Sequence, residues 1–438
     1  MLNNTGRIIK ALICAAVSAS VLCSCTAVQN SGEISETSEI HTAESTSVSE
    51  TTAITTDPAV TSDTAPEQNI STGQTSPEET SAFSESAAVS VEEPPAVQKE
   101  PVTLDAAAIS GYSVGRTLLS DDVLYMNHSC SGFRFDFRGT SLKAEFVSSA
   151  EYCYDEIHRA WIAVYLGDST EPYRRFPLDR EQGEYTLFES DQPTEARITV
   201  VKLTEEQFGT AGIKSLELGA ADVISRVPDS GRYIEFFGDS ITAGYGNEGE
   251  LSHGFDTSEE NGYLTYAPIT ARALGADYSM VCVSGMGLTD SRTCSFVAGD
   301  IYSKTDAFNS DQEYGFERQP QLIVVNLGAN DSYYINKDSS YYDLYESRYY
   351  DLLAEIRSKN PDAVILCCIC DYWKARMPQI ERVIEKYTAD TGDSKIHSLL
   401  LPYVTRDEDY GSDAHPKIKV QYEISEVLID KIEQLGIF

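Results

Sequence analysis

Continuous apolar runs alternate with helical patterns along residues 233–435. An apolar run without polar alternation is typical of a strand buried on both faces, as in a parallel sheet covered by helices. The pattern therefore predicts a doubly wound α/β domain over residues 227–438. The predicted strands are 233–238, 278–283, 321–326, 363–369 and 395–400, and the clearest predicted helices are 342–358, 377–388 and 416–435.

Residues 101–226 show a different pattern, in which apolar and polar positions alternate with period two. Short strands at near-regular spacing are typical of an antiparallel sandwich, and we predict a jelly roll without long helices. Such a domain either binds carbohydrate or braces its neighbour, and the sequence does not choose between these roles. The predicted strands are 133–138, 142–147, 161–166, 185–188 and 196–201.

The first hundred residues predict an export signal followed by a linker. Arg7 and Lys10 precede an apolar run, residues 11–22, that is too short to span a bilayer comfortably. The end of residues 1–24 resembles a bacterial lipoprotein box, which implies acylation of Cys25 and a cell-surface lipoprotein. Ordinary secretion and an uncleaved anchor are the alternatives. Residues 25–100 are rich in Ser, Thr and Glu, and this composition predicts a disordered linker.

Charge and cysteine content narrow the function classes. The formal net charge of the 438 residues is −36, which argues against nucleic acid or an anionic membrane surface as a partner. Beyond Cys25, the seven remaining cysteines are odd in number, so at least one is unpaired. A bridge between Cys130 and Cys153 stays open. Cys367, Cys368 and Cys370 lie in an apolar strand, where we predict core residues and not metal ligands.

The first strand of the α/β pattern ends abruptly in Gly238-Asp239-Ser240, and a helix can begin directly after it. A serine at such a break has its hydroxyl lifted clear of the carboxyl edge of the sheet, where a nucleophile is useful. The tripeptide alone is also typical of a surface turn with a helix cap. Its meaning therefore depends on the residues that follow the other strands.

Acyl transfer by serine needs a base, a group that orients the base, and donors for the oxyanion. His415, just before the last helix, is the predicted base, because its ordinary pKa lies near neutrality. Asp413 would share a side with His415 in an extended segment and hold its Nδ1–H, although a helix cap is the alternative. The predicted oxyanion donors are the backbone N–H groups of Ser240 and Gly285 and the side-chain amide of Asn330, which is otherwise a turn residue.

These residues carry a family resemblance. Four segments, in order, resemble the sequence blocks of the SGNH hydrolase superfamily, whose sheet is flavodoxin-like. With the jelly roll ahead of them, residues 109–438 resemble carbohydrate esterase family 2. The segments are Gly238-Asp239-Ser240-Ile241-Thr242-Ala243-Gly244, Ser284-Gly285, Gly328-x-Asn330-Asp331 and Asp413-x-His415-Pro416, with Gly115-Arg116 and Ser131-Gly132-Phe133-x-Phe135 ahead of them.

The resemblance implies removal of acetyl groups from plant polysaccharides such as xylan and glucomannan, with a preference for the primary 6-hydroxyl of hexoses. It implies no metal and no cofactor. Two departures from the superfamily are that the acid precedes the histidine by two residues, and that no asparagine precedes Gly285. Some family members work with a Ser–His dyad. Either Asp413 completes a triad here, or the dyad of Ser240 and His415 suffices.

Four aromatic residues follow the third and fourth strands of the α/β pattern, and they either stack on a sugar ring or pack the loops: Tyr333, Tyr334, Tyr372 and Trp373.

The expected partner is an acetylated polysaccharide or oligosaccharide. Attachment to the membrane is expected only through the lipidated N-terminus. The alternatives are a lipase or thioesterase, an esterase for acetylated cell-wall glycan, and a carbohydrate-binding surface protein with an inactive hydrolase domain.

Overall fold

The computed structural model describes residues 100–219, 223–338 and 340–438. The predicted leader, Cys25 and nearly all of the predicted linker lie outside these residues. The described residues belong to one unit, Val97–Phe438, so the domain boundary at residue 226 stays a prediction. None of the helices in this part of the chain combines the length and apolarity that a bilayer span needs.

A five-stranded parallel sheet forms the C-terminal half of the described chain, and we call residues 233–438 the parallel region. Its strand order is β12-β11-β13-β14-β15, the flavodoxin-like order that the superfamily resemblance implies. Gly238, at the end of β11, pairs with Cys282 on one side and Asn326 on the other, so three strands end at one edge. The strands are β11 (Tyr233–Gly238), β12 (Asp277–Cys282), β13 (Leu322–Asn326), β14 (Val364–Cys370) and β15 (Ile396–Leu401).

Helices cover both faces of this sheet. The last helix begins two residues after Pro416, because Lys417 is its extended N-cap, and it ends at Gly436 in the left-handed region (φ 63°). Val420, Ile424 and Leu428 lie on its buried face and share a core with β11 and β13. The helices of the parallel region are α3 (Ser240–Ala243), α4 (Tyr266–Ala273), α5 (Ala298–Ile301), α6 (Asp331–Ile335), α7 (Tyr341–Lys359), α8 (Met377–Thr391) and α9 (Ile418–Leu435).

The strands of residues 102–226, the antiparallel region, hydrogen-bond into one ten-stranded sheet with only two short helices. Two pairs of predicted strands are each one continuous strand. The chain continues through the polar segment at Gly139 as β5, and its register with β8 shifts there, where residues 190–193 of β8 have no partner in β5. The strands are β1 (Val102–Asp105), β2 (Ser113–Val114), β3 (Leu118–Ser120), β4 (Val123–Tyr125), β5 (Gly132–Val147), β6 (Trp161–Leu166), β7 (Arg174–Pro177), β8 (Gln182–Lys202), β9 (Gly212–Gly219) and β10 (Val223–Arg226), with α1 (Ala106–Ser110) and α2 (Ala150–Cys153).

The two regions share a core and a buried ion pair. The ring of Tyr165 in β6 stacks on that of Tyr263 with 4.0 Å between centroids. Arg116, which is 1% exposed, donates to a carboxylate oxygen of Glu235 in β11 at 2.9 Å. Its guanidinium also donates to the carbonyl of Tyr302 at 2.7 Å. The junction is therefore part of the folded interior.

All seven cysteines of the described residues are free thiols, so the bridge left open between Cys130 and Cys153 is not formed. Cys367, Cys368 and Cys370 are fully buried in β14, which confirms the prediction that they are core residues. Burial raises the pKa of the Cys367 thiol to about 12, so it stays protonated and unreactive.

Candidate active site

Ser240 lies directly after β11, at the start of the single-turn helix α3. The carboxylate of Asp239 caps this turn by accepting the N–H of Ile241 at 3.1 Å. A Cβ on Gly238 would lie 2.1 Å from Oγ1 of Thr242, so the strand can turn this sharply only with glycine there. The break therefore holds Ser240 at the carboxyl edge of the sheet, where the residue is 9% exposed.

His415 reaches the same point from a loop 175 residues away along the chain. Its Nε2 lies 2.9 Å from Oγ of Ser240. Nδ1 is shielded from solvent although the residue as a whole is half-buried. Burial lowers the pKa of His415 to about 4, and the negative charge of Asp413 opposes this only in part. The imidazole is therefore neutral near pH 7 and able to accept a proton.

Asp413 does not orient the histidine as the sequence predicts. It lies in a 3-10 turn, Ser412–Ala414, with left-handed backbone (φ 48°), so it does not share a side with His415 as it would in an extended segment. Its Oδ2 instead accepts the hydroxyl of Tyr245 at 3.1 Å. Nδ1 of His415 has no hydrogen-bond partner among the described residues. In this structure the two reacting side chains form a dyad.

Tyr245 is a site residue that the sequence reasoning missed. Its ring lies 4.4 Å from that of His415 and stacks on Phe255 at 3.7 Å. The imidazole is therefore held from one side by aromatic packing. The signal in the sequence is the position of Tyr245 directly after the Ser240 segment.

The loops after β12 and β13 meet next to Ser240. Gly285 has a positive φ (76°), and a Cβ there would lie 2.3 Å from Oγ1 of Thr293. The amide nitrogen of Asn330 donates to the carbonyl of Met286 at 2.9 Å and lies 3.5 Å from Oδ2 of Asp239. Asn330 thus links all three loops that the sequence predicts to form the oxyanion hole.

Two buried carboxyl groups support these loops. Asp331 accepts the backbone N–H groups of Leu288 and Thr289 at 3.0 and 2.8 Å. Burial raises the pKa of Asp331, and it raises the pKa of Asp239 to about 7. Partial protonation of Asp239 near pH 7 reduces negative charge close to the position where an oxyanion would form.

The four predicted aromatic residues divide into two sets with different neighbours. Tyr372 is 68% exposed, and its neighbour Trp373 lies 4.9 Å from the ring of Tyr403. The hydroxyl of Tyr403 donates to the carbonyl of Ala414, beside His415, at 3.2 Å. This first set is therefore connected to the histidine loop.

The second set lies in α6, the short helix that follows β13. Tyr333 is 43% exposed and has the ammonium group of Lys337 3.7 Å from its ring centroid. Tyr334 is half-buried, and its hydroxyl lies 3.3 Å from the carbonyl of Ser291. No group of three or more His, Cys, Asp or Glu residues in the described ranges is placed to hold a metal ion.

The comparisons with known proteins agree with this arrangement. Residues 236–415 match the model of the GDSL-like Lipase/Acylhydrolase family. Residues 113–228 match the model named Carbohydrate esterase 2 N-terminal, and the two matches together cover more than half of the chain. The chain is similar to carbohydrate esterase family 2. The resemblance read from the sequence blocks is thereby confirmed.

The chain is similar to proteins known in sequence and in structure. It is 32% identical over 240 residues to the Cellulase/esterase CelE of Acetivibrio thermocellus and 28% identical over 224 residues to an Acetylxylan esterase / glucomannan deacetylase of Cellvibrio japonicus. These matches cover 53% and 50% of this chain but only 29% and 60% of the relatives. The chain therefore aligns with only part of each of these proteins.

A family two carbohydrate esterase from Clostridium thermocellum, solved with cellohexaose, is 27% identical with a TM-score of 0.66. The alignment covers 75% of this chain and 99% of that one. The acetyl xylan esterase Est2A from Butyrivibrio proteoclasticus, at 24% identity and a TM-score of 0.68, is similar in fold, over 77% of this chain and 100% of that one.

Proposed function

We propose that this protein is a serine esterase that removes O-acetyl groups from plant cell-wall polysaccharides such as acetylated xylan and glucomannan, including 6-O-acetyl hexoses. The observation that carries the proposal is the 2.9 Å contact between Nε2 of His415 and Oγ of Ser240, in a chain similar to this family. The relatives named as acetylxylan esterases and glucomannan deacetylases support the choice of substrate.

In the proposed mechanism, Oγ of Ser240 attacks the acetyl carbonyl while its proton passes to Nε2 of His415. The carbonyl oxygen becomes an oxyanion that accepts hydrogen bonds from the N–H groups of Ser240 and Gly285 and the amide of Asn330. The imidazolium then protonates the leaving sugar oxygen. Water attacks the acetyl-enzyme, gives its proton to His415, and acetate leaves as Ser240 is restored.

The low pKa of His415 suits both halves of this cycle. A neutral imidazole is available to accept the serine proton, and the imidazolium formed is a strong enough acid to protonate an alkoxide leaving group. Acceptance at Nε2 requires the proton of the neutral ring to lie on Nδ1. The proposed role of Asp413 is therefore limited to its charge and to the shape of the turn.

Acetate release from acetylated xylan, acetylated glucomannan and defined 6-O-acetyl hexosides tests the proposal. Ser240→Ala and His415→Ala should each reduce kcat by on the order of 10⁴–10⁶ without loss of folding. Absence of acetate release from every acetylated glycan and from aryl acetates would contradict an esterase. Faster hydrolysis of octanoyl than of acetyl aryl esters would favour a lipase or thioesterase.

We also propose that Tyr372 and Trp373, and likewise Tyr333 and Tyr334, bind the sugar chain by stacking. The exposure of Tyr372 and the link from Trp373 through Tyr403 to the histidine loop support the first pair. Tyr372→Ala should raise KM for acetylated polysaccharide while leaving aryl acetate hydrolysis unchanged. An equal effect on both substrates would argue for a packing role.

We further propose that residues 101–226 form a jelly-roll domain and that residues 227–438 form the hydrolase domain. Strand β5 supports the jelly roll, since it pairs with β10 over its first half and with β9 over its second, as a strand passing between two layers does.

We also propose that residues 1–24 are removed on export, that Cys25 is acylated and that residues 25–100 act as a linker. If so, Cys25→Ser should move the protein from the membrane fraction to the medium.

A further inference from the structure

The residue before Gly285 is held at both ends of its backbone by side chains that play no part in the proposed mechanism. The N–H of Ser284 donates to Oε2 of Glu205 at 2.5 Å. The hydroxyl of Thr293 donates to the carbonyl oxygen of Ser284. Both hydrogen bonds act on the short stretch that leads into the proposed oxyanion hole.

The Thr293 contact fixes the direction of a catalytic donor. The carbonyl of Ser284 and the N–H of Gly285 belong to one planar trans peptide, in which the two groups point in opposite directions. A donor bound to the carbonyl therefore sets where the N–H of Gly285 points. The positive φ of Gly285 makes this useful, because a glycine without such contacts readily changes its backbone conformation.

The Glu205 contact fixes the preceding peptide and comes from the other region of the molecule. Glu205 follows β8 of the antiparallel region and is fully buried. Its own backbone is anchored, since its N–H donates to Oε1 of Glu260 at 2.7 Å and its carbonyl accepts Nζ of Lys202 at 2.6 Å. A buried carboxylate on an anchored backbone is a rigid acceptor for the N–H of Ser284.

We propose that Glu205 and Thr293 are positioning residues that aim the N–H of Gly285 at the acetyl oxygen, so that the antiparallel region completes the oxyanion hole of the parallel region. The inference rests on the proposed function. It gives the antiparallel region a role in turnover that is separate from any binding of carbohydrate.

The chain offers a matched control for Glu205. Glu206 is the next residue and is also buried, but its carboxylate faces His128, at 3.1 Å from Nδ1, and the N–H of Phe308 at 3.3 Å. Neither of these contacts is with the Ser284 loop. Substitution of either residue removes one buried carboxylate from the same segment, so a general cost to folding should be similar in both.

The kinetic test compares Glu205→Met, Glu205→Gln and Glu206→Met in the full chain, with aryl acetate as substrate. Glu205→Met should lower kcat by about 10- to 100-fold with KM unchanged, because orientation of the donor matters only in the transition state. Glu205→Gln keeps an oxygen acceptor and should restore much of the rate. Glu206→Met should keep the wild-type kcat per folded molecule.

Thr293 gives a second, isosteric test at an exposed position, where misfolding is not expected. Thr293→Val removes only the hydroxyl and should lower kcat, whereas Thr293→Ser should recover it. The same variants should weaken inhibition by an acetyl transition-state analogue such as a trifluoromethyl ketone more than they change KM. An unchanged kcat in both Thr293→Val and Glu205→Met would overturn the proposal.

Amide hydrogen exchange separates this inference from the proposed function. Exchange within residues 283–287 should accelerate in Glu205→Met and stay slow in Glu206→Met, whatever substrate the enzyme prefers. A wild-type chain that hydrolyses no acetate ester would contradict the proposed function and leave this measurement intact. Equal exchange in the two variants would contradict the positioning role itself.

Discussion

On one side of Ser240, Gly285 and Asn330 lie in loops joined by hydrogen bonds, whereas on the other side His415 is held mainly by contact with aromatic rings. Asn330 donates to Met286, and Asp331 fixes two backbone N–H groups of the neighbouring loop. Around His415, Tyr245 packs against the ring and Nδ1 has no partner among the described residues. We call these the donor side and the base side.

The difference follows from what each side must do. An oxyanion donor works only if it points at one position throughout the reaction, and hydrogen bonds supply that direction. A base that accepts a proton from the serine and later returns it to a sugar oxygen must serve two positions. Ring packing holds an imidazole in place while allowing it to tilt, so the weaker restraint suits the base side.

Removal of a donor should have the largest effect. Asn330→Ala should lower kcat by about 10²–10³ with little change in KM, since the lost hydrogen bond forms fully only with the oxyanion. Steady-state hydrolysis of an aryl acetate measures this. Asn336→Ala, an exposed residue at the end of the same helix α6, serves as the control. A loss below about fivefold would mean that the donor side is not organised for catalysis.

The pH profile tests the base side. Because burial lowers the pKa of His415 to about 4, the free enzyme should keep a neutral imidazole as the pH falls through 6.5 and lose it only near pH 4. At pH 5, kcat/KM should therefore be roughly 30-fold higher, relative to its plateau, than an imidazole of ordinary pKa would allow. An acid limb with its midpoint near 6.5 would contradict this environment for His415.

Loss of the aromatic contact should have a moderate effect. Tyr245→Leu should lower kcat about tenfold, because the imidazole loses the ring that limits its tilt. Tyr245→Phe keeps the ring and removes only the hydroxyl that Asp413 accepts, so it should remain within about twofold of the wild type. If both variants lose activity equally, the hydrogen bond to Asp413 and not the packing holds the base side.

Asp413 should show the smallest effect. An aspartate that orients the histidine of a triad is worth about 10⁴ in kcat. Asp413→Asn should cost only a few-fold here, because the carboxylate accepts the hydroxyl of Tyr245 and influences His415 by its charge, while the backbone of Asp413 is unchanged in the variant. A loss approaching that of a triad aspartate would show that the 3-10 turn rearranges when substrate binds, and the contrast between the two sides would then fail.

The sequence predicts the parts of the site that depend on strand order. Ser240, Gly285 and Asn330 each follow an apolar strand, and parallel strands end at one edge, so their proximity follows from the pattern alone. The orientation of Asp413 does not, because nothing in the sequence marks a non-glycine residue for a left-handed turn. The contact of Glu205 with Ser284 cannot be predicted from the sequence for another reason, since the two residues are 79 positions apart and lie in different regions.

The misjudged strands of the antiparallel region have a similar cause. Gly139 and the polar residues after it are typical of a turn, and a bulge inside a long strand has the same composition. Only the pairing with β8 decides between them. Short-range pattern therefore defines the strands but not where a strand continues through an irregularity.

The pairing of Arg116 with Glu235 has a consequence for recombination of this architecture. Two gene segments that each match a family model look like exchangeable cassettes. A foreign N-terminal cassette without an equivalent arginine would leave Glu235 as an uncompensated buried charge in β11, three residues before Gly238, at a cost of about 3–5 kcal/mol. Chimeras of this architecture should therefore carry the arginine and the acid together.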